Sequence, residues 1–375
     1  MRRYYPYILS ALFFLALLLG KFHPGQGFSE LAGFGEDYDL PKSEPLQKLD
    51  FYQKPNSTGY DGQFYVQIAL DPSLREPSLE EAIDHPSYRS RRILQPALSW
   101  LLGLGYAPAI LQIHSLLNVA CLIALGLLLF RWIPPQGWEN FARWFFCVFS
   151  MGALESVRYS LADLPAATLA LATITLLEKA KPKSAYLTNA LAVLSKETSL
   201  MNAALFLCPA PHTSWAQRMG RAMIAGLCAA VLFGAWIYYT TTVFPPTVNS
   251  SDNIGIPFTG MFRGLSGSVQ ELVENGFSDR YFFRLVTLPG LLFQFAYLLA
   301  KPKLGNRIWV FGILYGILFT TLGDAVWRGY WAGCRITLPM TIAFNILLDS
   351  KNKPLFWTSI ILSNLAFIHA IIRWI

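Results

Sequence analysis

The sequence predicts an all-α, polytopic transmembrane protein of about ten membrane helices plus half-helices, with a long first extracytoplasmic loop containing short amphipathic helices. Three observations lead there. Of its 375 residues, 54% are hydrophobic and 15% aromatic while only 14% are charged, and the mean hydropathy is +0.38, too apolar for a soluble protein of this size. Apolar runs long enough to cross a bilayer as helices recur along the whole chain. The Lys and Arg behind the net charge of +7 gather in short connections between those runs, which is how cytoplasmic loops are marked.

Residues 1–20 are the first transmembrane helix, an apolar run near 4–20 behind Arg2-Arg3. The run also fits a secretory signal, but no small-x-small cleavage site follows Leu19-Gly20-Lys21, so it is predicted to remain as a helix. Residues 21–107 form an extracytoplasmic loop with juxtamembrane helices, closed by a run near 93–106 that does not fully span. A transmembrane core over 108–243 holds spans near 108–130, 161–177 and 219–241 and interrupted runs near 143–157 and 185–208. Residues 244–281 are a second extracytoplasmic loop, and 282–375 the C-terminal membrane helices, near 282–300, 307–323, 331–348 and 355–372.

The basic clusters at Arg2-Arg3, Arg131 to Arg143, Lys179 to Lys183, Arg218 to Arg221, Lys301 to Arg307 and Lys351 to Lys353 share one side only on a further condition. The run 185–208 must enter and return as two half-helices broken near Ser195-Lys196-Glu197. That parity places 21–90, 244–281 and the turns around Arg158 to Asp163, Lys196-Glu197 and Asp324 to Arg335 together on the outer side.

Several classes drop out. The basic residues are dispersed, with no basic patch interleaved with aromatics, so nucleic acid is not an expected partner. Cys121, Cys147, Cys208, Cys228 and Cys334 lie in or beside apolar runs without ligand spacing, which indicates neither a disulfide framework nor a zinc site. No period of 20–50 residues recurs. Asn56-Ser57-Thr58 and Asn249-Ser250-Ser251 fit the glycosylation acceptor pattern, which matters only in a eukaryotic secretory compartment. The helix count and the absence of a disulfide framework lean toward a bacterial inner (cytoplasmic) membrane.

About half of the Asp and Glu residues lie in 21–90, and a connection of that length is commonly functional or a small folded unit. Tyr60 to Leu70 reads as a short amphipathic helix with Asp61, Tyr65 and Ile68 or Ala69 on one face, ended by Asp71-Pro72. Asp61 has two readings, an N-cap for that helix and a carboxylate held at the membrane boundary among Tyr60, Phe64 and Tyr65. The loop closes on Arg89, Arg91 and Arg92, which suit either an interfacial girdle or an anion site matched to phosphate oxygens.

Three further ionisable groups fall within or at the ends of apolar runs: Glu155 with Arg158 and Asp163, Lys196 with Glu197, and Asp324 with Arg328 and Arg335. Charges at that depth pair or line a watery cavity. Glu155 and Arg158, at i and i+3, read as a pair that neutralises itself. Under the adopted parity all these groups converge with Asp61 at the outer leaflet. That convergence suits transfer from a lipid-linked phosphate donor to a water-side hydroxyl, the carboxylate taking the proton and Arg and Lys stabilising the departing phosphate.

Tyr60-Asp61-Gly62-Gln63-Phe64-Tyr65-Val66-Gln67-Ile68-Ala69 resembles the Trp-Asp-Gly-x-x-[Phe/Tyr]-x-x-Ile-Ala element of the mannosyltransferases that add the second mannose to glycosylphosphatidylinositol, and of their bacterial relatives. These are C-type (GT-C), polyprenyl-phosphate-dependent membrane glycosyltransferases. Asp163 in Arg158-Tyr159-Ser160-Leu161-Ala162-Asp163-Leu164, the segment Ala192 to Thr198, and Arg328 and Arg335 in Arg328 to Pro339 follow the superfamily's order of elements. Tyr60 stands where the family usually has Trp, and no second acid adjoins Asp61.

The resemblance implies a GT-C fold and an inverting glycosyltransferase with Asp61 as general base. Arg328 and Arg335, helped by Arg89, Arg92 or Lys196, would bind the lipid phosphate. Asp163, Glu197 and Arg158 would position sugar hydroxyls or these cations, and Tyr65, Tyr330 and Trp331 would contact the sugar. Partners are membrane lipids, a polyprenyl-phosphate sugar and a glycan, lipid or protein acceptor. No cofactor is expected, since a divalent ion would want more than one carboxylate. The competing readings are a transporter or flippase built around the Lys196-Glu197 break, and a non-enzymatic protein of surface-polymer assembly.

Overall fold

A computed structural model describes residues 2–211, 213–245 and 251–375. Met1 of the leading basic cluster, and Asn249 and Ser250 of the second acceptor pattern, lie outside the described residues. Among the described residues the regular structure is helical, joined by three isolated β-bridges. Three helices, Ala107–Leu129, Trp215–Val243 and Asp279–Ala300, are long and apolar enough to cross a membrane. Lys353–Leu362 and Ala366–Trp374 make up a fourth apolar length, bent by 46°. Tyr5–Leu19, Arg307–Thr320 and Leu338–Leu347 are shorter apolar helices.

The expected span near 331–348 is two helices, Tyr330–Ile336 and Leu338–Leu347. Pro339 accounts for the interruption, because its ring and missing N–H cannot continue a helix that arrives from Gly333 and Cys334. The run near 143–157 is likewise divided, into Gly137–Val148 and Met151–Arg158, where Ser150 caps the second helix by accepting from the Ala153 amide at 3.3 Å. Leu94–Leu102, at nine residues, is too short to span, as the parity required.

The run 185–208 breaks where the charge distribution demanded. Helix Pro182–Ser195 stops at Lys196, which is extended at φ −152° and ψ 126°, and Glu197–Leu207 continues as a 3-10 helix of 11 residues. So long a 3-10 stretch is uncommon. Its period of three puts Ser199, Asn202 and Leu205 on one face, and all three are fully buried. Helix Asp163–Glu178 packs along Pro182–Ser195, so Asp163 and Lys196 meet at one end while the basic turn Lys179 to Lys181 lies about 24 Å away at the other.

The first long loop is a folded unit packed on the bundle, with Phe64, Tyr65, Ile68, Leu74, Leu79 and Ile83 clustered with Leu161 and Phe244, and Ala32, Phe34, Leu46 and Val66 with Leu111. Helix Gly62–Leu70 is its axis and is buried nearly all round. Two of its side chains organise the surrounding backbone: the Gln67 carbonyl accepts from Ser43 N at 2.8 Å while its amide donates to Ala82 O at 3.2 Å, and the Gln63 amide donates to Thr58 O at 3.1 Å. Gly62 is required by a close approach. A Cβ there would stand 2.0 Å from the Tyr159 carbonyl oxygen and 2.6 Å from that of Ala32, both immobile backbone. Gln112 ties the loop to the bundle through Phe28 N at 2.8 Å and Gln26 O at 3.0 Å.

In the second loop, helix Thr259–Glu274 is preceded by a short strap. Gly255 N donates to Thr321 O at 2.8 Å and Gly323 N to Asn253 O at 2.9 Å, which holds Asn253 and Ile254 over the end of helix Arg307–Thr320.

Candidate active site

A cavity of about 620 Å³ opens where the first loop, the Lys196 break, the start of helix Asp163–Glu178 and helix Tyr330–Ile336 meet. Asp61, Arg89, Arg92, Asp163, Lys196, Glu197 and Arg335 all line it, together with Tyr60, Asp84, His85, Tyr88 and Arg91. The strap residues Asn253 and Ile254 border it from the second loop.

Asp61 occupies the N-cap position of helix Gly62–Leu70, yet its side chain makes no capping hydrogen bond. It turns to Arg89 instead, with Nη1 at 3.1 Å from Oδ1. Arg89 is fixed from behind by a bidentate grip on Asp84, Nε to Oδ1 at 2.9 Å and Nη2 to Oδ2 at 2.7 Å, and lies over the Phe64 ring at 4.8 Å. Burial works to raise the Asp61 pKa, but the attraction of Arg89, then Arg335 and Arg92, outweighs it and holds the carboxyl below its ordinary value.

Arg92 ties the loop to the helix break. Its Nη2 and Nε reach Glu197 at 2.9 and 3.3 Å, and it donates to the Tyr65 and Tyr88 hydroxyls, each at 2.7 Å. Asp163, in the first turn of its helix where the dipole favours a negative charge, is clamped by Lys196 and by Arg335 Nη1 at 3.4 Å. Arg335 also donates to the Tyr60 hydroxyl at 3.0 Å, as does the Trp331 indole at the same distance, and its Nε is buried without a partner. Burial pushes the Tyr60 phenol up, so this hydroxyl keeps its proton.

Arg91 differs from its neighbours. It lines the cavity beside the Tyr88 ring, and no carboxylate lies within ion-pair distance of it among the described residues.

Five expected site residues stand elsewhere. The Tyr65 ring is buried in the loop's own core and only its hydroxyl is used, toward Arg92, so the sugar contact expected of it is not offered. Tyr330 is fully buried with its hydroxyl on His369. Trp331 lies under Arg373, 4.2 Å from guanidinium to ring centre, and reaches the cavity only through Tyr60. Arg328 lines a neighbouring open hollow of about 580 Å³ with Arg263 and Asp324. Arg158 lines a third, smaller hollow.

The pairing of Glu155 with Arg158 is present, but Glu155 has a closer partner. Glu155 is fully buried and gripped bidentately by Arg373, at 2.8 and 3.0 Å, with Arg158 only at 3.6 Å. Arg373 lies 218 positions away, and no local spacing could have found it. Asp84 and Tyr60 carried weak signals, an acid five residues before Arg89 and an aromatic inside the Asp61 motif.

Among the described residues no three His, Cys, Asp or Glu side chains gather as a metal would require, and each carboxylate of the cavity is engaged by Arg or Lys. The arrangement offers an ionised carboxylate beside oriented guanidinium groups, able to accept one proton and to hold an oxyanion. No protein-family model and no curated protein matches the chain.

Proposed function

We propose that this protein is an integral membrane glycosyltransferase that moves a sugar from a polyprenyl-phosphate donor to an acceptor hydroxyl with inversion, working at the extracytoplasmic face of a membrane such as the bacterial inner membrane. The observation that carries this reading is the composition of the cavity. Five cations, Arg89, Arg91, Arg92, Lys196 and Arg335, face four carboxylates, Asp61, Asp84, Asp163 and Glu197, and Arg91 is left without an acid. One uncompensated positive charge in a concave site of this volume suits a phosphodiester, which carries one negative charge.

In the proposed step the acceptor oxygen bonds to the anomeric carbon as the bond from that carbon to the phosphate oxygen breaks. The bonding pair leaves with the lipid phosphate, which gains a second negative charge facing Arg91 and Arg335, and the hydroxyl proton passes to Asp61. A carboxylate with a lowered pKa is a weak base. It suffices because the acceptor proton becomes strongly acidic only once the new bond is largely formed. The cations are oriented before substrate arrives, so stabilising the leaving charge needs little rearrangement.

The test is transfer of radiolabelled sugar from a panel of polyprenyl-phosphate sugars by membranes containing wild type or Asp61→Asn at matched protein levels. Loss of the base lowers turnover by about 10²–10⁴-fold. The fold is retained, since Arg89 keeps both contacts to Asp84. Turnover of the variant equal to wild type overturns the assignment. A transporter reading draws on the same Lys196 break; it requires that donor be moved and recovered intact, which the same assay detects.

A further inference from the structure

The Tyr60 and Tyr159 rings stack at 4.6 Å between centroids, with Tyr60 on the main cavity and Tyr159 on a second, smaller hollow. That hollow has room for about one water-sized group, about 20 Å³, and its ionisable lining is Lys21, Lys54, Arg158 and Glu30. The acid is already spent: Glu30 is held by Lys21 at 2.9 Å and by His23 at 2.7 Å. Arg158 shares its acid: Glu155 is held bidentately by Arg373, and Arg158 Nη1 stands 3.6 Å from it, too far for a hydrogen bond. Its side chain is 11% exposed, and its Nη1 is buried without a hydrogen-bond partner.

Lys54 makes no ion pair among the described residues and stands exposed at the mouth. Burial, then Arg158, Arg373 and Lys21, push its ammonium below the ordinary value, against the smaller opposing effect of Glu30. Lys21, Lys54, Arg158 and Arg373 thus share two acids, Glu30 and Glu155, among the described residues, and Arg158 Nη1 is left without a hydrogen-bond partner.

We infer that this hollow is an anion site for a phosphate group, one oxygen entering beside the Arg158 side chain and the others met at the mouth by Lys54 and Lys21. Lys21 follows the apolar helix Tyr5–Leu19 by two residues, and the Phe22 ring beside it is half exposed, so the mouth lies at the level of lipid headgroups. The phosphate is therefore that of a phospholipid headgroup or a free phosphate ion from the adjoining water. The inference stands on residues outside the main cavity and does not depend on glycosyl transfer.

The test uses the purified full chain in detergent. Native mass spectrometry follows the binding of dioleoyl phosphatidylglycerol, and thermal unfolding follows the response to millimolar inorganic phosphate. Wild type is compared with Lys54→Gln, Arg158→Gln and, as a control at an exposed position of the same loop, Arg75→Gln. Removing one charge-assisted contact weakens the affected ligand at least about tenfold in the first two variants and leaves it unchanged in the control. A lipid adduct that phosphate displaces identifies the headgroup as the source; stabilisation by phosphate with no variant-sensitive lipid adduct identifies the free ion. Equal behaviour of all four proteins toward both probes overturns the site. Lys54 is at the surface, so the comparison survives even where Arg158→Gln fails to fold.

Discussion

Replacing Glu197 with Gln isolates the tie between the first loop and the broken helix. The change preserves shape and removes a charge that receives two guanidinium contacts, at 2.9 and 3.3 Å. Taking one partner from a fully buried ion pair costs about 3–5 kcal/mol. Two features reduce that here. The Glu197 side chain is 30% exposed, and Arg92 keeps the Tyr65 and Tyr88 hydroxyls, each at 2.7 Å. The expected loss is about 2 kcal/mol, near the value for hydrogen bonds to a charged group. At about 2–4 °C per kcal/mol, thermal unfolding in detergent falls by about 4–8 °C. Arg92→Gln alone and the double variant complete a cycle in which the pair shows a coupling of about 1–2 kcal/mol. Unchanged unfolding temperature in Glu197→Gln, with strictly additive single changes, would refute the idea that this pair joins loop to bundle.

Three other outcomes follow from the same contacts. In the proposed transfer Asp61 must be ionised to accept a proton, so activity should hold above its folded pKa and be lost as pH falls through it; Arg89→Gln removes the foremost cation that lowers this pKa and should move the acid limb of the pH–activity profile to higher pH. The stability that Asp61 contributes follows the same sign, present above its unfolded pKa and lost on acidification. Gly62→Ala places a methyl against two backbone carbonyls and lowers the unfolding temperature by the equivalent of about 1–3 kcal/mol or more, read by the same thermal assay. Arg373→Gln strips the bidentate partner from fully buried Glu155 and destabilises by about 3 kcal/mol, more than Arg158→Gln, which removes only the contact at 3.6 Å.

What could be read from the chain depended on whether the cause was local. The break at Lys196 was legible because charge parity across the short loops required it, and a Lys-Glu pair inside an apolar run needs water or a partner. Helix Gly62–Leu70 and its end at Asp71 were legible from eleven consecutive residues. Asp61 was legible as a site residue, but not its counter-ion, since the i to i+28 relation between Asp61 and Arg89 is created by the path of the loop. Tyr65 was misjudged for a related reason. It shares a helical face with Asp61 in sequence, yet that helix is buried almost all round, so the shared face does not imply a shared cavity. The division at Thr337 did have a local cause, Pro339 at the second position of the following helix, where the apolar run by itself predicts one span.

The ion-paired lining of the cavity comes from five separated stretches of chain, at Asp61, Arg89 to Arg92, Asp163, Lys196-Glu197 and Arg335, and ion pairs join them. Buried ion pairs add little net stability compared with apolar packing, because both partners must be desolvated. Their effect here is on geometry. Each carboxylate fixes the direction of a guanidinium or ammonium group, and the Asp163 clamp sets Lys196 and Arg335 on opposite oxygens of one acid. Arg91 is then the one of these five cations with no carboxylate within ion-pair distance among the described residues. In the proposed reaction a phosphate entering beside Arg91 would find the remaining cations already aimed at the same space, and the charge developing on it would be met by groups positioned when the chain folded.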